Sequence, residues 1–124
     1  MKSRRVVVTG IGALTPIGNN LKDYWKALQD GVSGAAPITH FNAQNFKTQF
    51  ACEVKDFEVT DFINRKEARK MDLFCQYAMV ASDEAIIDSA LSLNEINLDR
   101  AGVIWGSGIG GMNSFQQEAS DFAK

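Results

Sequence analysis

The chain has 124 residues, about one small domain, and a chain of that size buries roughly two-thirds of the surface its unfolded form exposes. Its residues are 45% hydrophobic, 10% aromatic and 23% charged with two prolines, a balance that excludes disordered, collagen-like and coiled-coil chains. Thirteen Lys and Arg against fifteen Asp and Glu leave a net charge of −2, so no global positive field recruits nucleic acid or an anionic membrane, and any basic site must be local.

Val6-Val7-Val8 behind Lys2, Arg4 and Arg5 superficially resembles a secretory leader, but Thr9, Gly10, Gly12 and Thr15-Pro16 interrupt it before an apolar helical stretch can form. Arg5 to Thr9 instead has the β-branched pattern of a strand buried on both faces of a parallel sheet. Gly10 to Gly18 is loop. Leu21, Tyr24, Trp25 and Leu28 then predict a short amphipathic helix with Asn20 as N-cap and Gly31 just past its end. Residues 32–60 are irregular, with one strand expected around Phe50 to Val54.

Asn64 with Glu67 has the spacing of a capping box, and Arg65, Lys66, Arg69 and Lys70 place four cations within six residues of one short helical stretch. From Met71 to about Leu91 a second helix is predicted that is apolar almost all round, which suits the inside of a layered protein. Ala101 to Trp105 reads as a second buried strand, followed by Gly106-Ser107-Gly108-Ile109-Gly110-Gly111 and a helix start running to Lys124. The alternation indicates an α/β fold with parallel strands. Two strands cannot cover so apolar a helix, so the chain is expected to be part of a larger domain. No stretch approaches the roughly 18 apolar residues of a membrane span.

Cys52 and Cys75 lie 23 positions apart without a CxxC pair, and His40 is the only histidine, too few ligands for zinc. Free, mostly buried thiols in a reducing compartment are expected. The segment Gly106 to Gly111 satisfies G-x-G-x-x-G after a predicted strand, which raises a dinucleotide-binding module as one reading. The fingerprint also asks for an acidic residue ending a second strand about twenty positions on, and residues 112–124 show no such strand. A tight turn with glycines for close backbone packing explains the loop equally well.

Taken in order, several motifs resemble the N-terminus of a bacterial β-ketoacyl-[acyl-carrier-protein] synthase of the type II class. They are Arg4 to Gly12, Thr15-Pro16-Ile17-Gly18, Trp25 to Leu28 with Gly31-Val32-Ser33-Gly34, Arg65-Lys66-Glu67 with Arg69 to Asp72, and Gly106 to Gly111. The resemblance covers essentially all of residues 1–124 and implies a thiolase-like layered αβαβα fold, of which this chain is an incomplete part of the first α/β half. It implies a reaction in two stages: a cysteine takes an acyl group from carrier protein as a thioester, and two histidines assist decarboxylation of malonyl-carrier protein, whose carbanion attacks that thioester. Such chemistry calls for a thiolate activated at a helix N-terminus and donors for the enolate.

No catalytic residue carries over. Cys52 follows Phe50-Ala51, Cys75 is expected in mid-helix and His40 in the irregular segment, none in the family's motifs. Two sites do carry over as implications of the resemblance: carrier-protein contact on Lys66, Arg69 and Lys70, and the end of the acyl pocket at Ile109. The expected partner is an acidic acyl carrier protein, with no nucleic acid, membrane, metal or cofactor. The complete enzyme is expected to be a cytoplasmic homodimer of fatty-acid elongation. A non-catalytic polyketide relative that sets chain length or binds carrier protein is the other reading.

Overall fold

A computed structural model describes residues 4–124. Helix α1 spans Leu21–Gln29, and Asn20 caps it as the sequence predicts: its side-chain oxygen accepts from the Asp23 N–H at 2.9 Å. Gly31 leaves the helix at φ +67°, the left-handed conformation that only glycine adopts without strain.

Two short strands follow, β1 (Ala36–Pro37) and β2 (Phe50–Ala51), paired antiparallel. β2 falls inside the expected Phe50 to Val54 strand, whereas β1 has no sequence signal because Pro37 is a poor strand residue. The connection between them is fastened by Glu53, whose carboxylate accepts from the Thr39 hydroxyl at 2.6 Å and from the Thr39 N–H at 3.1 Å. The Thr39 hydroxyl, aided by the Thr39 and His40 N–H groups, holds the Glu53 carboxyl below the usual carboxylate range.

A 3₁₀ turn at Val59–Asp61 leads to α2 (Arg65–Ala68), and α3 (Leu73–Asp88) is the longest helix. The second helix expected from Met71 to about Leu91 is α3, shorter at both ends. Asp72 separates the two elements, since its extended backbone and its side chain, accepting from the Phe74 N–H at 3.3 Å, start α3 one residue later. The far end stops at Asp88, short of Leu91, where Ala90 turns to φ +52°. After a 3₁₀ turn at Leu98–Arg100, α4 spans Met112–Phe122.

Neither predicted parallel strand forms a ladder. Residues 5–9 and 101–105 carry no strand hydrogen bonds, and the only sheet among the described residues is the antiparallel β1–β2 pair. A strand exists only through its neighbours, and here Val6 is 90% exposed and Ile104 fully so. Both segments nonetheless reach the same side of α3: Thr9 and Val103 line one cavity of about 250 Å³ with Ser82 and Ile86.

The N-terminal segment is seated on α3 by two devices. Gly10 and Gly12 lie so close to the helix that a Cβ on either would overlap the carbonyl oxygens of Ala85 and Ala81 respectively. Carboxylates on α3 then take up the loop's free N–H groups. Asp88 accepts from Ile11 at 2.9 Å, and the two oxygens of Glu84 accept from Ala13 and from Leu21, the first residue of α1, each at 2.7 Å. Close packing accounts for Gly10 and Gly12. Gly12→Ala in a full-length protein carrying this segment is expected to cost about 1 to 3 kcal/mol, because the atom it meets is helix backbone that cannot rotate aside. A lowered urea midpoint with unchanged slope is the expected result, and an unchanged midpoint would mean that the loop does not bear on α3.

The core is small. Ala27, Ala68, Ala78, Val80 and Ala81 are the buried hydrophobic residues among those described. The expected burial of both thiols is not met: Cys52 is exposed and Cys75 half-buried. Cys75 also lies in the first turn of α3, not in mid-helix, because the helix starts at Leu73. No described helix is long and apolar enough to cross a membrane.

Candidate functional site

The basic stretch occupies a single, firmly held turn. Asn64 caps α2 by accepting from the Lys66 N–H at 2.9 Å, two residues on. Glu67 does not complete the capping box; its carboxylate takes Lys70 Nζ at 2.7 Å instead. Ala68, 3% exposed, is the foot on which the turn stands. Gln76 of α3 braces the elbow between the helices by donating to the carbonyls of Ala68 at 3.0 Å and Met71 at 3.2 Å. In front of α2, Phe57 stacks on Phe62 with ring centroids 5.9 Å apart and meets the edge of Tyr77 at 5.1 Å, pinning the preceding loop to α3. Burial raises the Tyr77 phenol above its ordinary range, with the charge of Glu53 adding to the effect.

This bracing leaves Lys66, Arg69 and Lys70 exposed on one turn. Lys70 shares its charge with Glu67, while Lys66 and Arg69 form no ion pair among the described residues. Arg65, which the sequence reading grouped with them but gave no role, faces Glu58. The Glu58 carboxyl is held below its usual range by the Thr60 hydroxyl and N–H, with the Arg65 charge contributing. The result is a small cationic surface on a rigid support, able to orient an anionic partner without long-range field from the rest of the chain.

Ile109 stands apart from that turn, 83% exposed at the tip of a loop that Ser107 closes by donating its hydroxyl to the Gly110 carbonyl at 3.2 Å. Gly110 has φ +81°, so the loop needs glycine there. At Gly111 a Cβ would overlap the present position of the Asp72 carboxylate, which also accepts a short hydrogen bond from the Ser114 hydroxyl in the first turn of α4. That carboxylate argues against the dinucleotide reading. A pyrophosphate would be held at the N-terminus of α4, and an anion already lies there.

Asp72 and Ser114 were not singled out in the sequence. The available signal was Asp72 immediately before Leu73-Phe74, an N-cap in front of an apolar run. Its pairing with Ser114 spans 42 positions and has no local signature. An open apolar cavity of about 550 Å³ also runs along α3, lined by Met71, Phe74, Ala78, Val103 and Trp105, with Cys75 in its wall. Its walls include side chains as exposed as Trp105 at 55%, which marks it as uncovered packing surface.

The family described as the β-ketoacyl synthase N-terminal domain matches residues 3–123. The 3-oxoacyl-[acyl-carrier-protein] synthase 2 of Synechocystis is 50% identical over 118 residues, covering 95% of this chain and 28% of that protein. Its counterpart from Vibrio harveyi is 53% identical over 113 residues, covering 91% of this chain and 27% of that protein. Among solved structures, the ishigamide ketosynthase/chain length factor superposes with a TM-score of 0.68 at 38% identity, over 76% of this chain and 23% of that one. A type II polyketide acyl-carrier protein in complex with its ketosynthase superposes with a TM-score of 0.60 at 28% identity, over 79% of this chain and 24% of that one. The chain thus spans a little over a quarter of the length of the curated relatives it matches. With its elements superposing on part of the ketosynthases and its glycine loop inside the matched region, it belongs to the β-ketoacyl synthase N-terminal domain family and carries part of the thiolase-like α/β fold.

Proposed function

We propose that residues 1–124 are the N-terminal portion of a fatty-acid chain-elongating synthase, and that α2 docks its acyl carrier protein. The whole enzyme joins an acyl thioester to malonyl-carrier protein. The C–C bond forms as CO₂ leaves, the enzyme thiol is released, and β-ketoacyl-carrier protein is the product. The observation that carries the docking role is the braced turn bearing Lys66, Arg69 and Lys70, with two of its cations lacking a partner among the described residues. The names of the relatives support the reaction, and a ketosynthase solved with its acyl-carrier protein supports the partner.

The nucleophilic cysteine and both histidines of this chemistry belong to parts of the enzyme outside these residues; Cys52, Cys75 and His40 do not serve. Ile109 limits the length of acyl chain that the pocket accepts. The whole protein works as a cytoplasmic homodimer without metal or cofactor. The test is to incubate a full-length protein carrying this segment with acyl- and malonyl-carrier proteins. One CO₂ per β-ketoacyl product is expected. Tight binding of carrier protein without condensation would favour the second reading, a non-catalytic polyketide partner, which the likeness to a ketosynthase/chain length factor keeps in view.

A further inference from the structure

Asp72 touches both candidate sites. Its own backbone follows the basic turn directly, two residues after Lys70, and its carbonyl accepts from the N–H groups of Cys75 at 2.9 Å and Gln76 at 3.1 Å. One side-chain oxygen caps α3 through the Phe74 N–H, and the other accepts from Ser114. The same carboxylate occupies the space that a Cβ on Gly111, two residues after Ile109, would take. The elbow between α2 and α3 is tied by Gln76, and the loop is closed by Ser107 across Gly110, whose φ of +81° glycine permits. One carboxylate thus bonds both the helix that follows the basic turn and the helix that follows the Ile109 loop.

We propose that Asp72 is a positioning residue that couples the carrier-docking turn to the Ile109 loop, so that acyl-chain selection depends on the Asp72–Ser114–Gly111 contact. The inference rests on the elongating-synthase reading. It concerns this chain's own residues and does not require Asp72 to meet substrate.

Ser114→Ala is the informative variant, because it removes the link and leaves the α3 cap intact, on an exposed helix position where alanine is favourable. In the full-length protein, selectivity is read twice: as the ratio of kcat/KM between long and short acyl-carrier proteins, and as the ratio of their dissociation constants. Loss of one partly exposed charged hydrogen bond is expected to flatten both ratios about 3- to 10-fold. Ser114→Thr, which keeps a hydroxyl, should restore them. Ser114→Ala combined with Ile109→Ala should change selectivity no more than Ile109→Ala alone, since Ser114 acts through that loop. Unchanged ratios in a folded Ser114→Ala protein, or effects of the two substitutions that simply add, would overturn the coupling. If the wild type binds carrier proteins but does not condense them, the elongation reading fails, and the binding ratios still decide for or against Asp72.

Discussion

Reversing Lys66, Arg69 and Lys70 to Glu in a full-length enzyme carrying this segment is expected to lower kcat/KM for carrier-protein substrates by about 30- to 1,000-fold at low salt. An exposed rim charge is worth about 0.5 to 1 kcal/mol, and reversal adds repulsion to lost attraction, so three together reach roughly 2 to 4 kcal/mol. Short pantetheine thioesters present no acidic protein surface and should be used almost as well as before. The loss should lie in association and fade with salt, because raising ionic strength from about 0.01 M to 0.15 M shortens the screening length from about 30 Å to 8 Å. The three positions should contribute unequally. Lys70 is already engaged by Glu67 at 2.7 Å, so Lys70→Glu also sets two carboxylates one turn apart, whereas Lys66 and Arg69 give up no ion pair among the described residues. Equal losses on carrier-bound and pantetheine substrates, or a deficit indifferent to salt, would mean that the turn had been damaged and would remove its docking role.

The parts of the fold that were legible in the sequence are those whose determinants are local. α1 was readable because Asn20 and Gly31 act on neighbours within the same helix, and the cationic turn because its four cations fall within six residues. The division between α2 and α3 is legible, but the start of α3 falls two residues later than Met71, because the apolar character runs through Met71 and only the Asp72 cap sets the first turn. Cys75 was misplaced with it. The contacts that organise the site cannot be seen from one segment. Glu84 reaches back 71 positions to Ala13, Asp88 reaches 77 to Ile11, and Asp72 reaches forward to Ser114. The strands at 5–9 and 101–105 show the opposite failure. Their composition suits a parallel sheet, but a ladder depends on partners, and a β-branched run without one remains an uncovered edge.

That uncovered surface gives the second large effect: the 124-residue chain alone is expected not to unfold cooperatively. A folded monomer of its mass should expose about 6,600 Å², by the general scaling of surface with size. This chain exposes 10549 Å². The excess of about 4,000 Å² is comparable to a large obligate interface. Its composition is that of an interior: Ile104 is fully exposed, Phe122 95% and Val6 90%, and among the described residues no buried side chain is larger than valine. At about 25 cal/mol per Å², exposing apolar surface on this scale forgoes far more than the 5 to 15 kcal/mol by which ordinary domains are stable. The local caps and the Glu84 clamp offer about 1 kcal/mol each and cannot replace it. Heating the isolated chain should therefore give a broad, probe-dependent transition, strong binding of an apolar dye and association that grows with concentration. Joined to the remaining three-quarters of a synthase, the same residues should protect their α3 amides from exchange to the level of global unfolding. A monomeric, dye-silent fragment with one sharp transition would show that α3 and its flanking segments close a core without further layers.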